Sequence, residues 1–170
     1  MSSVAANNEI SKNPVHIALF EPDIPQNTGA ILRTAACFGC VCHIIEPAGF
    51  VLNDQRMRRA GMDYLDLAAL KRHDSWSAFL ADRAAHPGRL IAASTRGATS
   101  LETFQFEPND TLLMGRESAG LPEHAWAACD QSVFIPITQG ARSLNVAQAT
   151  AILVSSALAQ LRAWPHQTTI

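Results

Sequence analysis

Short, unbroken apolar runs recur along the chain with helical stretches between them, and this alternation constrains the fold more than any other feature. Val15 to Phe20 (VHIALF) is apolar throughout and bounded by Pro14 and Pro22. NTGAILRTAACFG follows with helical spacing and stops at Gly39, and VCHIIE is a second strand. Ser75 to Ala85 has a helical pattern, Pro87-Gly88 breaks it, and RLIAAS, TLLMG and SVFIPI supply further strands. Strands that are apolar on both faces and separated by helices imply a parallel α/β sheet with helices covering it. No internal repeat or linker divides the chain. The expected organisation is a polar N-terminal tail (1–13), one domain (14–164) and a short C-terminal tail (165–170).

With 170 residues, the chain is long enough for one substantial core. A composition 48% hydrophobic and 16% charged is that of a globular domain, not a disordered one. The 13 basic residues against 15 acidic give a net charge of −2, so nucleic-acid binding would need a local basic patch. The polar start MSSVAANNEISKN lacks the apolar core of a signal peptide, and no apolar stretch is long enough to span a bilayer. A cytoplasmic protein without a membrane segment is expected. Cys37, Cys40 and Cys42 form C-x-x-C-x-C with only Cys129 elsewhere, too few for two ligand pairs of a structural zinc site. They read as small buried thiols, with no metal expected.

The last long element is expected from about Ser143, as N-cap, to Trp164. Leu144, Ala147, Ala151, Val154, Leu158 and Leu161 form one stripe, while Val146, Ala149, Ile152, Leu153 and Ala157 make the other side apolar too. A helix apolar on both sides needs two partners, so a homodimer is expected, the alternative being burial in a monomer core.

Three polar loops follow strands, at the end of a parallel sheet where ligands bind. EPDIPQNTGAILR offers Asn27 and Thr28 as caps, Gly29 for close approach, and Arg33. The other two are MGRESAGLP and IPITQGARSLNVAQA. Each alone could be an ordinary turn. Together they suggest a composite site. Around Ser118, ESAG is not a nucleophile elbow, because Arg116 stands where G-x-S-x-G needs glycine. The partners for such a serine would be Asp130 and His166, the latter in the polar tail. Leu121-Pro122 stand where a phosphate loop needs Lys and Ser/Thr, and no G-x-G-x-x-G follows a strand.

Taken together, NTGAILR, GRESAGLP and IPITQGARSLNVAQA resemble the three motifs of the SpoU branch of the SPOUT (knotted) RNA methyltransferases. EPDIPQNTG, HIIEPAGF and RRAGMDY look most like its tRNA (cytidine/uridine-34)-2′-O-methyltransferases. The resemblance covers roughly residues 15 to 162. It implies an α/β fold whose C-terminal part threads into a trefoil knot, a topology no periodicity argument predicts. It also implies S-adenosylmethionine as cofactor, bound by Ala93, Ser94, Gly115, Ile135, Ser143 and Leu144, and tRNA as partner. Arg33 matches the motif arginine. Because arginine keeps its proton, it would clamp a substrate phosphate while water or that phosphate takes the 2′-hydroxyl proton. Asn27 would position the ribose or Arg33, Glu117 would brace neighbouring loops, and Asn145 would anchor the last loop. The basic clusters Arg56, Arg58, Arg59 and Lys71, Arg72 are the expected RNA contacts. Ala119 and Ser155 depart from the Arg and Tyr common in that subgroup, a difference that bears on nucleotide recognition. The alternatives are another tRNA or rRNA ribose, or a relative that binds RNA without turnover. His16, His43 and the three tryptophans read as packing or surface residues.

Overall fold

The computed structural model describes residues 14–51, 69–86 and 88–165. Arg56, Arg58, Arg59 and His166 lie outside the described residues, as do most of the expected tails. Chain order is β1 (Val15–Phe20), α1 (Pro25–Phe38), β2 (Val41–Ile45), β3 (Ala69–His73), α2 (Trp76–Ala84), β4 (Leu90–Ala93), β5 (Thr99–Ser100), β6 (Asp110–Met114), α3 (Glu123–Ala127), β7 (Gln131–Phe134) and α4 (Val146–Leu161). The strands form one sheet in the order β3-β2-β1-β6-β4-β7-β5, every pairing parallel. The α/β expectation is met. No helix among the described residues is long and apolar enough to cross a membrane.

Pleating explains why the central strands are apolar on both faces. On β1, Ile17 and Leu19 pack with Ile31, Leu32, Leu153 and Leu158 of α1 and α4, while Ala18 and Phe20 point to the other face, against Phe79 and Ala125 of α2 and α3. Ile17, Ile31, Leu32, Leu158 and Phe79 are at most 1% exposed, and each such side chain stabilises the fold by roughly 1.5–3 kcal/mol. Cys40 and Cys42 join this core, where burial pushes both thiols up to about 12. Cys37 departs from the buried-thiol expectation and is exposed on α1.

Helix ends differ from the sequence reading in instructive ways. α1 begins at Pro25 with Ile24 as N-cap, so Asn27 and Thr28 lie inside its first turn and are not caps. Proline's preset φ starts the helix early, leaving the Asn27 side chain for longer-range bonds. α4 begins at Val146, not near Ser143, because Asn145 is the cap: its Oδ1 accepts from the amides of Ala147 (2.8 Å) and Gln148 (3.4 Å). It ends at Leu161, where Arg162 turns left-handed at φ 53°. β3, sequence ALKRH, was expected only as a basic cluster. As an edge strand it is paired on one side and tolerates charge.

The β4–β7–β5 region has an unusual path. Ala93 of β4 and Thr99 of β5 both lie opposite Val133, on opposite sides of β7. The chain therefore leaves β4, crosses β7 and continues upward along its other edge. Gly97 is the crossing point. A Cβ there would stand 2.4 Å from the Val133 carbonyl carbon and 2.6 Å from the Phe134 nitrogen, so only glycine permits the backbones to pass this closely.

Candidate functional site

The loops leaving β4, β6 and β7 meet the start of α4 and the β1–α1 loop around a cavity of about 480 Å³. That size falls within the usual range for small-molecule sites. Its floor is apolar, with Met114, Leu121, Val133 and Leu153; its rim carries Asn27, Ser94, Glu117, Ser143 and Asn145. Gly115 shapes one wall by close approach. Its hypothetical Cβ would lie 2.5 Å from the Gly120 carbonyl carbon and 2.6 Å from the Leu121 nitrogen. Arg116 and Gly120 close this loop with two backbone hydrogen bonds of 3.2 and 2.8 Å, and Gly120 supplies the left-handed turn at φ +71°.

A polar network ties the rim together. Asn145 Nδ2 donates to Asn27 Oδ1 at 2.9 Å, and Asn27 Nδ2 donates to Glu117 Oε1 at 3.0 Å. The Asp23 amide donates to Glu117 Oε2, and the Glu117 amide donates back to Asp23 Oδ1, both at 3.2 Å. The Ser118 hydroxyl donates to Asp23 Oδ2. The three strand-end loops are thus one hydrogen-bonded unit, although Asn27 and Asn145 are 118 positions apart. Burial pushes the Glu117 carboxyl up, with neighbouring Asp23 adding to the rise. Asp23 is held down by its interaction with Glu117 and by the Ser118 hydroxyl. Arg116 pairs with Glu21, and its buried Nε has no partner among the described residues.

Every residue expected to hold the cofactor (Ala93, Ser94, Gly115, Ile135, Ser143 and Leu144) lines this cavity. So do Asn27, Glu117 and Asn145. Arg33 is not among the lining residues; it lies on the exposed side of α1. Lys71 and Arg72 lie on β3, where Lys71 pairs with Asp82 at 3.2 Å and Arg72 with Glu46 at 2.7 Å. Among the described residues, the Ser118 and Asp130 of a serine-hydrolase arrangement are engaged elsewhere. Ser118 bonds to Asp23, and Asp130 accepts from the Leu90 amide at 2.7 Å.

Sequence reasoning missed Ile24, Thr95, Arg116 and Ile137 in the lining and Asp23 as the brace of Glu117. Asp23 and Ile24 sat inside a loop already singled out, but nothing local says which loop residues turn inward. It also missed a histidine ladder. His16 Nδ1 lies 3.1 Å from His43 Nε2, and His43 Nδ1 lies 2.9 Å from His73 Nε2, across β1, β2 and β3.

Residues 14–155 match the model of the SpoU rRNA Methylase family. A tRNA (cytidine(34)-2'-O)-methyltransferase of Ancylobacter novellus is 51% identical over 144 residues, covering 85% of this chain and 91% of the relative. A structure solved for insight into the 2-OH methylation of C/U34 on tRNA is similar at TM-score 0.82 and 40% identity, covering 89% of this chain and 98% of that one. The SpoU methyltransferase AviRb of Streptomyces viridochromogenes, in complex with AdoMet, is similar at TM-score 0.75 and 28% identity. That match covers 85% of this chain and 59% of AviRb.

Proposed function

The chain belongs to the SpoU rRNA methylase family, and from that premise we infer that it methylates the ribose 2′-oxygen of nucleotide 34, cytidine or uridine, in tRNA, with S-adenosylmethionine as donor. The observation that carries this reading is the cavity itself. Its glycine wall and apolar floor suit an adenosine group approached by backbone, and its rim carries the polar groups that face a second substrate. Residues 14–164 form a single domain whose C-terminal part threads into a trefoil knot, a reading that the chain crossing at Gly97 supports.

The cofactor supplies an activated methyl group; the protein supplies position and charge. Asn27, Glu117 and Asn145 act as positioning residues, holding the three loops at fixed separation so that the acceptor oxygen meets the donor in line. Each Glu117 oxygen accepts one hydrogen bond, from Asn27 and from the Asp23 amide, which fixes the carboxylate between the loops it braces. Arg33 clamps a substrate phosphate from the exposed side of α1, and the proton leaves to water or that phosphate. Arg33→Lys tests the clamp: loss of the forked donor should lower turnover, and near-normal turnover would overturn the role.

RNA meets the basic clusters of the sequence: Lys71 and Arg72 on β3, and Arg56, Arg58 and Arg59, which lie outside the described residues. A second copy of the chain covers α4 around Ile152, which remains 37% exposed. Sedimentation of wild type against Ile152→Asp tests the dimer, which should dissociate in the variant. The enzyme reading is tested by titration with S-adenosylhomocysteine, followed by mapping of methylated riboses in tRNA treated with the protein. Saturable binding and a new 2′-O-methyl group at position 34 are expected. A methyl group in rRNA, or at another tRNA ribose, would redirect the substrate assignment while leaving the chemistry intact.

A further inference from the structure

Among the described residues, the exposed large apolar side chains are Ile24, Val51, Ile137, Ile152 and Trp164. Ile24 and Ile137 both line the cavity, although 40% and 36% of their surface stays in contact with solvent. They come from different strand ends, Ile24 before α1 and Ile137 after β7. Their backbones are held. The Ile24 carbonyl accepts from the Thr28 amide (3.2 Å) and hydroxyl (3.4 Å). Ile137 follows Pro136 and precedes a turn in which Thr138 accepts from the Ala141 amide at 3.2 Å.

The reaction inferred above dictates what can reach them. The 2′-oxygen must stand about 3–3.5 Å from the donated methyl group. The base of the same nucleotide hangs from the adjacent ribose carbon, so it too must enter the mouth. Enzymes acting on single-stranded nucleotides usually grip the splayed base by stacking it on aromatic or apolar side chains. Among the described residues lining this cavity none is aromatic, and Ile24 and Ile137 are its solvent-exposed apolar members. Of the side-chain amides that could read a base edge, Asn145 already donates to Asn27, and Asn27 donates to Glu117.

We propose that Ile24 and Ile137 form an aliphatic clamp for the pyrimidine base of the acceptor nucleotide, gripping its faces and leaving its hydrogen-bonding edge unread. The clamp rests on the methyltransferase reading and deepens it. It explains in physical terms how one site accepts both cytidine and uridine, which share a ring shape and differ at that edge.

The test pairs Ile24→Ala and Ile137→Ala with tRNA carrying either cytidine or an abasic ribose at position 34. Each variant should lower kcat/KM on the cytidine substrate about tenfold, in line with the worth of one stacking contact, and leave S-adenosylhomocysteine affinity unchanged. Wild type should lose at least as much on the abasic substrate. The variants should lose little more on it, because the contact is already gone. Ile24→Leu, which retains an apolar face, should restore most of the activity. Multiplicative losses from variant and abasic ribose would overturn the clamp alone. Weakened S-adenosylhomocysteine binding in step with the kinetic loss would reassign the pair to the cofactor site. A wild type that methylates no tRNA would overturn the enzyme reading and the clamp with it.

Discussion

Two regions of this sheet concentrate polar side chains, and they differ in how those side chains are satisfied. At the β1–β2–β3 edge, His43 is 4% exposed and both of its ring nitrogens face another imidazole, His16 on one side and His73 on the other. Ring planes 24° and 17° apart, with centroids 5.4 and 5.2 Å apart, put the rings edge to edge. Phe79 covers His43 and His73 from α2. At the C-terminal ends of β6, β4 and β7, the Asn145–Asn27–Glu117 network borders a cavity, and the buried Nε of Arg116 has no partner among the described residues. A polar network closed on itself contributes to folding, whereas one left open toward a cavity is available to a ligand.

The most severe way to break that contrast is at Gly115. Gly115→Ala drives a Cβ into the Gly120 and Leu121 backbone, which cannot move aside as a flexible side chain would. S-adenosylhomocysteine binding, read by calorimetry, should weaken at least about 100-fold, or roughly 2.7 kcal/mol. Gly115→Trp, which fills the cavity, should abolish it.

Cutting the network should cost less and act on turnover. Asn27→Ala removes both the bond to Glu117 and the one from Asn145. A loss of about 100-fold in kcat is expected from the resulting misalignment, with cofactor affinity little changed. Equal losses in cofactor affinity and in kcat would mean that the network shapes the donor pocket and not the acceptor position.

The histidine ladder should respond to pH and not to substrate. Burial, with His16, His73 and Lys71 nearby, pushes His43 down to about 3 from an ordinary value of 6.5; Asp82 opposes the shift. Between those values the unfolded chain binds the extra proton and the native one does not, so stability falls as pH falls through that window. One imidazole contributes a slope of up to about 1.4 kcal/mol per pH unit. Chemical denaturation of His43→Phe between pH 6 and 4 should show a shallower decline than wild type, with S-adenosylhomocysteine affinity at pH 7 unaltered.

The smallest effects are expected on β3. The Lys71–Asp82 and Arg72–Glu46 pairs are partly exposed, and neutralising either cation should change stability by no more than about 1 kcal/mol. If these cations also meet RNA, Lys71→Gln and Arg72→Gln should each reduce the salt dependence of tRNA binding by about one unit of slope. An unaltered slope would assign both residues to the structural side of the comparison.

Much of this molecule was legible in the chain. Apolar runs such as VHIALF and TLLMG, separated by helical stretches, require a sheet covered on both faces, and parallel strand order sends the following loops to one end. Local chemistry therefore determined that GRESAGLP and the loop before α4 would meet near Asn27. The remainder depended on tertiary structure, because it consists of relations between distant residues. β3 has no apolar period to betray it, since an edge strand need not be buried. Gly97 looks like any loop glycine until β7 passes within touching distance of it. The Asp23–Glu117 clasp and the three-histidine ladder each join segments that only the folded sheet brings together. Periodicity reports which face of an element is buried; it carries no information about which polar group will stand opposite, and at this site that pairing decides the chemistry.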